Sequence, residues 1–329
     1  MKYSYNDISI VPAITSKISS RSECNPFDKG NLPIFTAPMS SIVNKDNFHI
    51  YEDNHIIPIL PRNYSLEDRI QSLNNGKWAA FSLSECDKIP NSIYPVHICI
   101  DVANGHMTKL YDTVKQLKER IPNSIIMTGN IANPETITTA IDANVDYIRL
   151  GIGSGFGCIT TSNVGVHYPI ASLIRDSVKI RRKRSIYPKI IADGGIRGYA
   201  DINKALALGA DYVMIGSLFA KCIEASDDIY DWEGKITTQQ DYNTNPLFHK
   251  FYGMASKEGQ NDLYGKKKHT AEGICRKIGI NTTIKQWSKN AEDYIRSAMS
   301  YCNVKTLSEF KLKTKTIIIS INTFSSINE

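Results

Sequence analysis

Eight short apolar runs rich in β-branched residues recur along this chain, and amphipathic segments separate most of them. The runs are 33–36 (PIFT), 56–60 (IIPIL), 78–83 (WAAFSL), 96–101 (VHICID), 125–129 (IIMTG), 146–150 (DYIRL), 189–192 (KIIA) and 211–215 (DYVMI). Segments 106–121, 134–144, 168–184 and 199–208 carry helical spacing. Strand, helix and strand repeated in this way predict a parallel α/β fold. Eight strands predict a (β/α)8 barrel, with an open doubly wound sheet as the alternative. Either fold concentrates its chemistry at the carboxyl ends of the strands, and most of the polar or glycine-rich motifs below follow a run.

The 329 residues are 42% hydrophobic and 22% charged, enough for one barrel-sized core over 1–312 with a tail at 313–329. That tail reads as an edge strand, an oligomer contact or disorder. Region 235–280 is polar and breaks the alternation, which predicts an irregular, mobile lid over the barrel mouth. The stretch between runs 78–83 and 96–101 is short for a helix. The start MKYSYNDISIVP lacks a signal-peptide core, and no run approaches the ~18 apolar residues of a membrane span. Seven cysteines without a CxxC pair argue against a disulfide framework or a zinc site and for a cytoplasmic protein. The net charge of +6 includes RRKR at 181–184 and KKK at 266–268. These are solvated surface or an attraction for phosphorylated ligands. No stacking aromatics interleave with them, so nucleic acid is not an expected partner, and neither is a membrane.

The sharpest motif is GIGSGFGCITT, 151–161, after the run DYIRL. Four glycines let backbone groups approach a ligand or ion, and a cysteine among backbone donors can act as a thiolate nucleophile. The plain alternative is a flexible turn with an inert thiol. In ADGGIR (192–197) Asp193 ends a run and Gly194–Gly195 open a turn; VMIGS ends in Gly216–Ser217. Two successive turns of small residues suggest a phosphate site, with Asp193 on ribose hydroxyls or simply capping a helix. Asp101 in IDVANG, Asn130 in TGN and Met39 in APM also end runs. In FYGMAS (251–256) and at Glu272–Gly273, a lid glutamate can serve as general acid or base.

Together these segments resemble the inosine monophosphate dehydrogenase and guanosine monophosphate reductase family of (β/α)8 barrels. YNDISIVP, SSRSE, APM, IDVANG, GN, GIGSGFGCITT, ADGGIR, VMIGS and FYGMAS occur in the family's order to about Phe310. The resemblance implies that Cys158 bonds covalently to C2 of the purine, and that Thr160 and Glu272 relay a proton. It implies substrate contacts from Met39, Asn130, Arg149, Asp193, Gly194, Gly195, Gly216, Ser217, Gly253, Met254, Ala255 and Gly273. It puts the dinucleotide on Ser20, Arg21, Arg62, Asp101, Val102, Ala103, Ile152, Gly153, Met254 and 297–300 (Ser297, Ala298, Met299, Ser300). Potassium would lie on carbonyls of Gly153, Gly155 and Cys158, beside Thr161. A homotetramer is the implied assembly.

Within the family, the reductase reading predicts NADPH-dependent deamination of GMP to IMP. Residues 60–96 leave no room for a paired CBS regulatory insertion, and 257–271 lacks the arginine of a water-activating Arg-Tyr pair. IDVANG and FYGM also read as reductase. Arg149 and Ser217 are closer to the dehydrogenase, which takes IMP to XMP with NAD, and His269 stands where reductases carry an arginine. The alternatives are therefore a dehydrogenase lacking CBS domains, a related enzyme on a deoxy or modified purine nucleotide, and a non-catalytic nucleotide sensor.

Overall fold

The computed structural model describes residues 1–319 except 93, 186, 187, 227, 239, 240, 267 and 268. The strands of the main sheet are β2 (Ile34–Thr36), β3 (Ile59–Leu60), β4 (Trp78–Phe81), β5 (His97–Ile100), β6 (Ile125–Ile131), β7 (Tyr147–Leu150), β8 (Lys189–Asp193) and β9 (Tyr212–Ile215); β1 (Ile8–Val11) lies outside it. They pair in parallel in the order β2-β9-β8-β7-β6-β5-β4-β3. Phe35 bridges Ile57 just before β3, with Ile57 N donating to Ile34 O and Thr36 N to Ile57 O, both at 3.0 Å. Those bonds close the sheet into a (β/α)8 barrel and rule out the open alternative. All eight runs fall on these strands.

Side-chain alternation along each strand decides what fills the barrel. In β9, Tyr212 and Met214 join an inner cluster with Phe35, Ile59, Trp78, Cys99, Met127 and Ile191. Val213 and Ile215 instead join the outer core beneath the helices. Trp78 and Tyr147 meet Phe35 edge-on at ring-centroid distances of 5.6 Å and 5.9 Å, plugging the lumen. On β7, Tyr147 points inward, so Arg149 two residues later also points inward, one layer nearer the mouth.

Up to β9, the helices comprise one on each of the four expected amphipathic segments and three outside them. They are α1 (Phe48–Asp53), α2 (Leu66–Asn74), α3 (Thr108–Arg120), α4 (Thr136–Asp142), α5 (Thr160–Val164), α6 (Ile170–Arg181) and α7 (Tyr199–Ala207). Between β4 and β5 the chain makes only a 3-10 turn, Leu83–Lys88. Glu85 anchors that turn. It accepts from Ser82 N at 2.8 Å and from Arg69 Nη2, on α2, at 2.5 Å. Burial pushes the Glu85 carboxyl up, but Arg69 and the Ser82 donors outweigh it and hold it at about 2. A carboxylate depressed from 4.5 to about 2 stabilises the fold above pH 4.5, and that contribution is lost as pH falls towards 2. Glu85→Gln is therefore expected to lower stability by about 2–3 kcal/mol at pH 7. The gap to wild type should close on acidification through that window, as read by urea melts at stepped pH.

The expected irregular lid is partly regular. Strands β10 (Phe248–Phe251) and β11 (Arg276–Gly279) pair antiparallel, with α8 (Lys257–Tyr264) between them. The correction has a local cause. Phe248 and Phe251 are buried and Ile278 packs with the core, so a short apolar pattern hides inside a polar segment. Ser256 caps α8 by accepting from Gly259 N at 3.0 Å. Lys267 and Lys268 of the lysine run lie outside the described residues. After α9 (Ile284–Tyr301) and α10 (Leu307–Lys313), the tail forms β12 (Lys315–Ile318). This strand pairs antiparallel with β1, Ile8 opposite Ile318. Residues 320–329 of the tail lie outside the described residues.

Candidate active site

The mouth of the barrel carries a buried charge network built from the ends of five strands, β3 and β5 to β8. Arg149 Nη1 lies 2.8 Å from Asp101 Oδ1, and its Nη2 lies 2.9 Å from Asp193 Oδ2. Its Nε also donates to Asp193 Oδ2 at 3.0 Å. Asn130 Nδ2 donates to the same Asp193 oxygen at 2.7 Å, and Arg62 Nε lies 3.2 Å from Asp101 Oδ2. Burial pushes the Asp101 carboxyl up, but the Arg62 and Arg149 guanidinium groups outweigh it and keep it below the usual range. For Arg149, burial works against the charge, yet Asp193 and Asp101 outweigh it and its pKa is raised. Arg149 is thus spent on two carboxylates, and its side chain is only 8% exposed. It also lines the larger of the two cavities described below.

The glycine loop rises from β7 and folds back over this network. A Cβ on Gly151 would lie 2.1 Å from Asp193 O, so only glycine lets the two strand ends come this close. A Cβ on Gly153, at φ +75°, would lie 1.9 Å from Thr161 Oγ1. The loop then pairs with the lid: Cys158 bridges Gly273, Ile159 N donates to Glu272 O at 3.0 Å, and Ile274 N donates to Gly157 O at 2.8 Å. This pairing aligns three side chains. Cys158 Sγ lies 3.2 Å from Thr160 Oγ1, which donates to Glu272 Oε2 at 2.8 Å. The thiol is half-buried and free. A nucleophile, a hydroxyl and a carboxylate in one hydrogen-bonded line can add to a ligand and move a proton in the same place.

Two cavities meet at Met39 and Asp193. The larger, 560 Å³, holds Cys158, Thr160 and Glu272 together with Arg62, Asp101, Val102, Ala103, Asn130, Ile152, Gly153, Gly253, Met254 and Ala255. The smaller, 310 Å³, is lined by Gly194, Gly195, Gly216 and Ser217. Backbone donors and small residues here suit an anionic group, and the larger cavity suits a planar base beside the thiol. The two expected substrate regions are therefore adjacent in space. Gly155 lines the smaller cavity, and Gly273 lies directly opposite Cys158.

Part of the expected dinucleotide set is elsewhere. Ser20, Arg21, Ser297, Ala298, Met299 and Ser300 line neither cavity. Arg21 Nη1 donates to Ser297 Oγ at 3.3 Å, and Arg21 also pairs with Asp293. Met299 is fully buried on the core face of α9. Within one chain this cluster and the Arg62–Ala103 group are separate. Potassium also meets an obstacle. Gly153 O accepts from Thr161 Oγ1 at 3.0 Å, and Gly155 O accepts from Cys158 N at 3.0 Å. Two of the three expected carbonyls thus already accept a protein hydrogen bond, and they do not fit the ion while those bonds hold.

Sequence reasoning missed Tyr5, Ser154, His167 and Arg197 in the smaller cavity, and Gln260, Leu263, Tyr264 and Thr270 in the larger. Ser154 and Arg197 lay inside quoted motifs. Tyr5 is far in sequence from Gly195, which its ring approaches, and nothing local showed which way that ring faces.

Comparison with known proteins bears on the chemistry. A family model described as IMP dehydrogenase / GMP reductase domain matches residues 95–328. The GMP reductase of Staphylococcus epidermidis is 28% identical over 327 residues, covering 94% of each chain. That of Staphylococcus aureus strain MRSA252 is 29% identical over 329 residues with the same coverage. The inosine-5'-monophosphate dehydrogenase of Chlorobaculum parvum is 33% identical over 235 residues, which is 68% of this chain and 45% of that enzyme.

Proposed function

The chain belongs to the IMP dehydrogenase / GMP reductase family of oxidoreductases, and from that premise we propose that it reduces GMP to IMP with release of ammonia. The observation that carries this reading is the line Cys158–Thr160–Glu272 inside one cavity. The Cys158 thiolate adds to C2 of the purine, the 2-amino group leaves as ammonia, and departure of the thiolate later frees IMP. Glu272, through the Thr160 hydroxyl, supplies the proton that the leaving amine needs. Reduced nicotinamide, when bound, supplies the hydride to C2.

The other residues bind and exclude. Gly194, Gly195, Gly216 and Ser217 offer small, polar walls for the 5'-phosphate. Asp193, oriented by Arg149 and Asn130, accepts from the ribose hydroxyls. Gly253, Met254 and Ala255 cover the base, with Met39 below it. Arg62, Asp101, Val102, Ala103 and Ile152 border the same cavity and would hold the nicotinamide end. The lid residues facing the cavity include Tyr264 and His269 but no arginine. This deprives an adduct of the pair that would activate water, and so disfavours the dehydrogenase.

Two coarser properties have support. Seven free cysteines with buried or half-buried thiols suit a reducing cytoplasm. Among the described residues no helix is long and apolar enough to cross a membrane. Ile317 and Ile318 are exposed on the β1–β12 pair, and such exposed apolar side chains suit a homotetramer contact.

The deciding experiment offers the protein GMP with NADPH, and separately IMP with NAD, and identifies products by mass. We expect IMP, NADP and ammonia from the first pair and no XMP from the second. XMP from IMP with no consumption of NADPH would establish the dehydrogenase instead.

A further inference from the structure

The loop that presents Cys158 is held by protein donors at nearly every carbonyl. Gly151 O accepts from Asn130 Nδ2 at 2.9 Å, and Ile152 O accepts from His167 Nδ1 at 3.0 Å. Gly153 O accepts from Thr161 Oγ1 and Gly155 O from Cys158 N, each at 3.0 Å. Phe156 O accepts from Arg276 Nε at 3.0 Å, and Gly157 O accepts from Ile274 N at 2.8 Å.

A monovalent ion held by backbone needs several carbonyl oxygens converging on one point and clear of competing positive charge. Here the positive ends of N–H and O–H dipoles already occupy those directions. The Thr161 hydroxyl is the critical one. It ties the start of the loop to the helix that follows Cys158, across eight residues. It also packs so closely on Gly153 that a Cβ there would lie 1.9 Å from it. The other donors are backbone groups, side chains from the lid and a neighbouring strand, and His167, whose ring bonds Ile152 O from just beyond the helix. Thr161 makes the shorter of the two side-chain closures of the loop around the cysteine.

We propose that Thr161 does in this chain what a bound monovalent cation would do: its hydroxyl, donating to Gly153 O, keeps the Cys158 loop in working shape, and the protein acts without potassium. Thr161 is a positioning residue, since it acts through the loop and not on the ligand. The inference rests on the reading of Cys158 as the nucleophile. It needs no assumption about which purine nucleotide reacts.

The test compares wild type, Thr161→Val and Thr161→Ser at equal ionic strength in potassium chloride, lithium chloride and choline chloride. Two readouts are taken: turnover with GMP and NADPH, and the rate of Cys158 alkylation by iodoacetamide followed by peptide mass. Wild type is expected to vary less than about twofold among the salts in both. Thr161→Val should lose about fivefold to tenfold in kcat in choline chloride, the scale of one lost hydrogen bond. Potassium should restore part of that loss by taking up the vacated carbonyl. Thr161→Ser, which keeps the hydroxyl, should match wild type within about twofold. Saturable activation of wild type by potassium beyond about threefold would overturn the proposal. So would a Thr161→Val variant equal to wild type in choline chloride. Absence of turnover in every salt, with cation-insensitive alkylation, would overturn the GMP reading and leave this one standing. Alkylation of wild type that depends on potassium would do the reverse.

Discussion

Cys158→Ala is expected to reduce turnover of GMP by about 10⁴-fold or more, the scale of losing a covalent nucleophile. Stability should barely change. The side chain is half-buried, and its thiol contact is Thr160 Oγ1 at 3.2 Å. Removing the sulfur therefore opens no core cavity and strands no buried partner. The proton path from Thr160 to Glu272 stays intact, so any turnover that survives measures the site without its nucleophile. Loss of NADPH absorbance gives the rate. Trapping with acid followed by intact-protein mass gives the chemistry: wild type should carry a nucleotide adduct, and the variant none. Turnover within tenfold of wild type would mean that the thiol is a bystander in a glycine turn.

Arg149→Met is expected to lower stability by about 3–5 kcal/mol, because it leaves buried charge without its partner. Asp101 and Asp193 both end inward-facing strands, and one guanidinium serves both. Asp101 retains Arg62, but Asp193 keeps only Asn130 Nδ2 among the side-chain partners described above. The variant should consequently lose most of its stability at neutral pH. Adding Asp193→Asn should recover part of the loss, as a cycle of thermal or urea melts would show. A melting temperature for Arg149→Met unchanged from wild type would show that solvent in the mouth already screens the network. Activity should fall further than stability explains, since Asp193 loses its orientation.

Much of the molecule was legible before any coordinates. The eight strands stood out because a parallel barrel buries both faces of each strand, which forces continuous apolar runs such as KIIA and DYVMI. The proposed nucleophile was legible because glycine density around one cysteine is a local signal, whereas its proposed partners Thr160 and Glu272 came from the family resemblance. The lid was read less well. Its strands carry only a few buried apolar residues, too few to stand out from the polar sequence around them.

By itself, the sequence determined the barrel, the placing of motifs at strand ends and the one cysteine set in a glycine-rich loop. Each depends on periodicity or on residue chemistry within a short window. Tertiary structure alone decided what those motifs touch. Glu272 meets Thr160 across 112 residues, and Tyr5 reaches the phosphate-like pocket from the far end of the chain. Arg149, whose place on a strand was plain, lines the larger cavity and also holds Asp193 and Asp101. The direction of a side chain and the partner of a carbonyl depend on how distant segments pack, and no local pattern encodes them. Thr161 shows this best. As sequence it was one more residue beside an expected ion; in the fold its hydroxyl occupies the oxygen that the ion would need.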